Sequence, residues 1–237
     1  MTRARVENTF AGNQGGAFYA ELANLYLTDA LVWNTSAAWW GGGVSVQQDS
    51  VSVVRRTHFC ANSAMSNGAA VDVGWSQSHV EAIVIQDPTS PNTGKAIALG
   101  RNPSLTHVAV LGSAGIADMV EGQAVGTPPS PFTNSVFVTS NPSAAAAAVF
   151  TVPNPESLAV SNGFVESGWS WGVTGDDLIS GTSGVVIGAD CTFVLPDHTA
   201  WVDAGTGLDA DSSPADLGPF GGAEGPAFRA GLQDVDG

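Results

Sequence analysis

The feature that most constrains this chain is a succession of strand-sized apolar segments separated by turn chemistry, with no gap long enough for a crossover helix. After the break Trp39-Trp40-Gly41-Gly42-Gly43 the segments are VSVQQ (44–48), VSVVRRTHFC (51–60), AVDVGW (70–75), VEAIVIQD (80–87), KAIALG (95–100) and THVAVLG (106–112). Each is short, rich in β-branched residues and bounded by Gly, Pro, Asn or Ser. Between them lie NSAMSNG, whose Asn67-Gly68 is a tight-turn signal, and PTSPNTG. A Pro-rich break, TPPSPF (127–132), precedes a second run: NSVFVTS (134–140), AAAVFTV (146–152), FVESGWSWGV (164–173), GVVIGAD (184–190) and CTFVLP (191–196). Parallel neighbours in an open sheet are joined by crossovers of a dozen or more residues, usually helical. The spacing therefore predicts an all-β sandwich or barrel. Upstream, residues 17–32 fit either a short helix carrying Phe18, Leu22, Leu25 and Tyr26 on one face or a strand through Asn24 to Val32.

Composition agrees with strands and turns. Charged residues make up 12% of the chain, about half the roughly 25% of an average soluble domain. There are 29 Gly, 13 Pro and one lysine, so long helices with wet Lys/Glu faces are excluded. The net charge of −15 is uneven: residues 1–102 hold seven acids against six bases, and the remainder holds fifteen acids against Arg229 alone. A nucleic-acid backbone would meet uncompensated repulsion on the second part, so direct DNA or RNA binding is not expected. Such a surface stays soluble in brine, where salt screens its self-repulsion, and the preference for Asp over Glu fits either brine or a high-GC genome. The expected organisation is a β-sandwich base with an N-terminal arm over 1–127, a second β block over 128–202 that belongs to the same domain or is stacked on it, and an irregular acidic Gly/Asp/Pro-rich tail over 203–237 that drapes over a neighbour or stays mobile. The first residues contain no apolar run of signal-peptide length, and no window suits a membrane-spanning helix.

Several residue sets could carry chemistry, each with a plainer reading. Gly168-Trp169-Ser170-Trp171-Gly172 is a formal G-x-S-x-G, followed by Asp176, Asp190 and His198 in hydrolase order. That motif works only on a strand, elbow and helix, and nothing helical follows Gly172, so no catalytic residue is assigned and no enzyme is expected. Thr174 to Gly181 resembles a single turn of a calcium-binding repeat, and Asp203, Asp209 and Asp211 could surround a structural Ca²⁺ or another hard cation, although solvated acidic loops explain both. Cys60 and Cys191 could form a disulfide, remain free thiols, or join His58 and His198 around zinc. His79 and His107 read as satisfied core or surface residues. Asn34-Thr35-Ser36 is a formal glycosylation sequon. The seven tryptophans, Trp33, Trp39, Trp40, Trp75, Trp169, Trp171 and Trp201, suit core and interfaces, with carbohydrate stacking as the alternative.

VSVVRRTHFCANSAMSNGAAVDVGW (51–75) is similar to a pattern of viral and phage structural sandwiches: a strand ending in a basic pair, a small polar turn, then an alternating strand. With its size, its acidity and its paired β blocks, the chain resembles the larger of the two small major capsid proteins of icosahedral haloarchaeal viruses with an internal membrane. The resemblance implies an upright single jelly roll with a second β unit stacked above it. It also implies capsomers built with a smaller coat protein, a virion location after assembly in the host cytoplasm, and no catalytic residues. Arg3 and Arg5 would then approach the internal membrane while the acidic part faces brine. A phage tail or receptor-binding accessory protein that contacts glycans through Trp is the alternative, and a serine hydrolase using Ser170 and His198 is a third reading.

Overall fold

The structure, a computed structural model, describes residues 4–74, 76–89, 95–100, 103–112, 118–122, 130–138, 148–152, 158–188, 191–194, 204–208, 212–213, 215–219 and 221. All regular structure among these residues is β, in strands numbered β1 to β19 along the chain. The strands do not form a jelly roll. Except in one short hairpin they pair in parallel, each with the strand about 26 residues on, and wind a β-solenoid of about five turns.

Two long sheets make the walls. The larger contains β1 (Ala4–Glu7), β4 (Tyr26–Trp33), β7 (Val53–Cys60), β10 (His79–Gln86), β12 (Ser104–Leu111), β14 (Ser130–Val138), β16 (Leu158–Glu166) and β17 (Gly175–Gly181), in that spatial order. Facing it are β3 (Phe18–Glu21), β6 (Val44–Gln47), β9 (Val71–Val73), β11 (Ile97–Leu99), β13 (Asp118–Gly122) and β15 (Ala148–Thr151). A narrow third wall is formed by β2 (Phe10–Ala11), β5 (Ser36–Ala37) and β8 (Ser63–Ala64). The crossover that parallel strands require is thus supplied by strands of the other walls. The sandwich expectation failed because it allowed only a helix in that role. No helix forms at 17–32, which holds β3 and β4, and β12 pairs with β14 across positions 127–128, so the second β block continues the same solenoid.

The core is built of stacked like residues. One column runs Val32, Phe59, Ile85, Val110, Phe137, Val165, and another runs Val44, Val71, Ile97, Val120, Phe150. All are buried, and each such side chain contributes about 1.5–3 kcal/mol of transfer free energy. The larger sheet bends once per turn at Asp29, Arg56, Ala82, His107, Asn134 and Asn162, which all take left-handed φ between 45° and 55°. The paired register skips these residues, so side chains on both sides of the bend point inward. Two neighbours on the bend column are joined by charge, Arg56 donating to both carboxylate oxygens of Asp29 at 2.7 and 2.8 Å.

The outer face of the larger sheet is also apolar. Val84, Ala109, Leu111, Val136, Val138 and Phe164 form a second cluster with Ile179, Val185, Ile187, Phe193, Ala204 and Leu217. What covers them is the C-terminal segment, which returns across the sheet and includes the hairpin of β18 (Val186–Ile187) and β19 (Phe193–Val194). Cys191 is bonded to Cys60 on β7, and Gln86 on β10 donates to the Gly188 and Thr192 carbonyls. His107 Nδ1 donates to the Gly218 carbonyl while its Nε2 accepts from the Asn134 amide. Asn134 and Asn162 both bind Thr206. In its described parts the expected irregular tail is therefore a strap that docks on its own chain.

Candidate ligand-binding face

The corner between the narrow wall and the β3 sheet has the same construction in successive turns. Gly15, Gly41 and Gly68 have φ of 65°, 64° and 61°. At Gly42 a β-carbon would lie 2.2 Å from the carbonyl oxygens of both Ala69 and Ser63, so only glycine fits. Thr9 and Thr35 hydroxyls each close the corner by donating to the carbonyl seven residues on, Gly16 and Gly42, at 2.6 Å. The tight corner brings Gln14, Trp40 and Asn67 into one parallel ladder and turns the side chains beside it outward. Around it Phe10 is 72% exposed, Trp39 56%, Met65 51%, Tyr19 46% and Trp40 39%. Large aromatic groups left this open on consecutive turns are costly to hydrate and are suited to stacking.

Beside the aromatics lies a connected polar patch on the outward face of β3, β6 and β9. Ser45 donates to Asp72 at 2.9 Å and lies 3.4 Å from Gln14 Oε1, which ties the patch to the Trp40 ladder. The Gln47 amide donates to Ser45 at 3.1 Å and also to Asp72. Tyr19 donates to Glu21 at 2.6 Å. That bond, with burial and the charges of Glu21 and Asp72, pushes the Tyr19 phenol up to about 12, so it stays a donor. Asp72, Ser45 and Gln47 are buried and Tyr19 is open, so the patch pairs a fixed interior network with an accessible rim. Asn67 Oδ1, in the Trp40 ladder, is shielded from solvent without a hydrogen-bond partner among the described residues.

The residues singled out in the sequence fall elsewhere. Ser170 is exposed after a turn, and the chain passes from Gly172 into β17 without a helix, so the G-x-S-x-G elbow is not built. Its neighbours are structural: Trp169 is buried, and Trp171 stacks on Phe150 at 6.3 Å and meets Phe137 edge-on at 5.9 Å. Asp176 lies on β17, the last strand of the larger sheet, so the Gly/Asp segment 174–181 pairs with β16 as a single edge. The thiols of Cys60 and Cys191 are consumed in their disulfide and cannot ligate zinc. His58 is buried against Phe193 at 5.8 Å, and burial lowers its imidazole to about 4. His79 is partly buried on β10 and contacts Ser104 and Glu81. Arg5 lies over the Trp33 ring at 5.1 Å. Arg3, Trp75, Asp190, His198, Trp201, Asp203, Asp209 and Asp211 lie outside the described residues. Among the described residues no cluster of three or more His, Cys, Asp or Glu could hold a metal ion.

No family model, curated protein or solved structure matches this chain. Tyr19, Glu21, Gln47 and Asp72 were not singled out from the sequence. The signal for them was the recurrence of Gly-Gly corners and Asn/Thr positions at Asn8-Thr9 with Gly15-Gly16, and at Asn34-Thr35 with Gly41-Gly42.

Proposed function

We propose that this protein is a non-catalytic solenoid scaffold that binds a neutral polysaccharide across the Trp39/Trp40 corner. The observation that carries the proposal is the pairing of exposed aromatics on adjacent turns with the accessible Tyr19–Glu21 pair, which is backed by the buried Ser45–Gln47–Asp72 network. Sugar rings present an apolar face that stacks on aromatic planes and equatorial hydroxyls that need fixed donors and acceptors, and this face offers both. Parallel strands repeat about every 4.8 Å along a solenoid, so an extended polymer can contact several turns at once. The net charge of −15 and the carboxylates of Glu21 and Asp72 disfavour anionic polymers. The capsid expectation drew its capsomer geometry and its second coat protein from a jelly roll, so the proposal starts instead from the surface of the solenoid and is nearest to the glycan-contacting alternative.

Affinity electrophoresis of the full chain in gels containing neutral glucans, galactans or mannans, with anionic polymers as controls, tests this reading. Retardation by at least one neutral polymer is expected. Trp39→Ala should then cost about 2 kcal/mol, roughly 30-fold in Kd, without changing the melting temperature. Absence of retardation by every neutral polymer, or equal retardation of the parent and a Trp39→Ala/Trp40→Ala variant, would overturn it.

A further inference from the structure

Among the described residues the first strand of the larger sheet is paired on one side only. Ala4 to Glu7 pairs with Ala30 to Trp33 on one flank, and β1 stands first in the sheet order. The Asn8 amide donates to the Trp33 carbonyl. Peptide groups alternate sides along a strand, so those of Ala4 and Val6 face β4 as Asn8 does, and those of Arg5 and Glu7 face away from it. On the same strand Arg5 donates to Glu7 through Nε at 2.9 Å and lies 2.8 Å from it through Nη2, with both side chains about half exposed. An exposed pair of this kind is worth little by itself, so both charges can be re-paired at little cost.

Arg5-Val6-Glu7 is charge-complementary to its own reverse. When two such strands run antiparallel about Val6, Arg5 of each lies opposite Glu7 of the other. Residues 5 and 7 are also those with outward N–H and C=O groups, so each of these cross-strand pairs exchanges two backbone hydrogen bonds. Centring the pair on residue 5 or 7 instead would set like charges opposite one another, which is unfavourable. We propose that a second copy of this chain docks on this edge, head to head, and joins the two larger sheets through their β1 strands. Phe10 and Leu22, both highly exposed, belong to the same first turn as β1. Arg5 is then a seam residue rather than a membrane contact.

Sedimentation velocity of the full chain over a wide concentration range tests the assignment. The parent is expected to dimerise. Arg5→Glu and Glu7→Arg, which place like charges across the seam, are each expected to sediment as monomers. An equimolar mixture of the two variants should recover the dimer, as should the Arg5→Glu/Glu7→Arg exchange in one chain, and this recovery also shows that the variants are folded. A parent that stays monomeric throughout, a dimer that survives in both single variants, or a mixture and exchange variant that both remain monomeric would overturn it. So would a monomer that loses binding to anionic lipid vesicles on Arg5→Glu, which would return Arg5 to a membrane role.

Discussion

Breaking the Cys60–Cys191 bond should be the most disruptive single chemical change available to this fold. The bond closes a loop of sequence separation 131 that contains most of the solenoid. On the chain-entropy model, freeing a loop of that length lowers stability by about 5 kcal/mol at 25 °C. For a chain of 150–250 residues each kcal/mol moves the melting temperature by about 2–4 °C, so a fall of roughly 10–20 °C is expected. Its course should also be informative. Cys191 precedes the segment that docks on His107 and Asn134, so the reduced protein should first lose this cover and expose Val84, Ala109, Val136 and Phe164. Calorimetry of the native protein, of a sample reduced with a phosphine, and of a Cys60→Ser/Cys191→Ser variant measures the shift, and a dye specific for apolar surface reports the exposure below the main transition. If reduced and oxidised samples melt within about 2 °C of each other and neither takes up dye, neither the loop argument nor the role given to the C-terminal segment holds.

Two further outcomes follow from single positions. Gly42→Ala drives a β-carbon into the Ala69 and Ser63 carbonyls and should cost about 3 kcal/mol or more. Gly12→Ala meets nothing within 4 Å and should change stability by less than about 1 kcal/mol; urea denaturation of both variants decides. His58 is held below its unfolded value of 6.5, at about 4, by burial. The unfolded chain therefore binds a proton that the folded chain does not. The fold keeps this contribution above about pH 6.5 and loses it as pH falls toward 4, up to about 3 kcal/mol. Urea midpoints measured at neutral and mildly acid pH should show a shallower pH dependence in His58→Gln than in the parent, and equal slopes would refute the assignment.

Strand positions were legible in the sequence, and their partners were not. VSVQQ, VSVVRRTHFC, VEAIVIQD and THVAVLG each overlap most of an observed strand, because β-branched runs bounded by turn residues mark a strand locally. Pairing is a different kind of information. Val54 lies beside Val80 and His58 beside Val84, an offset that no window shorter than a full turn reveals, and the Gly-Gly corners that carry the period looked like ordinary breaks. A second clue was the near-continuous apolar character of Ile83, Val84 and Ile85, which a strand with one wet face would not show and a strand covered on both faces does. Here the second cover is the C-terminal segment, whose stretch from 203 onward reads in the sequence as an irregular acidic tail. The binding face was hidden for the same reason: Tyr19, Ser45 and Asp72 are consecutive rungs of one column although they are far apart in the chain.

That C-terminal segment also constrains how such a molecule can vary. A solenoid can in principle gain or lose whole coils, since each contacts only its neighbours. Here one stretch of chain is fixed to five successive strands of the larger sheet, β7, β10, β12, β14 and β16, through Cys60, Gln86, His107, Asn134 and Asn162 in turn. A duplicated or deleted coil between Cys60 and Asn162 would move those anchors by one strand spacing, about 4.8 Å, and strand the groups that bind them. The strap thus acts as a gauge of coil number: length can change freely only beyond the anchored coils, and change within them requires a matching change in the strap.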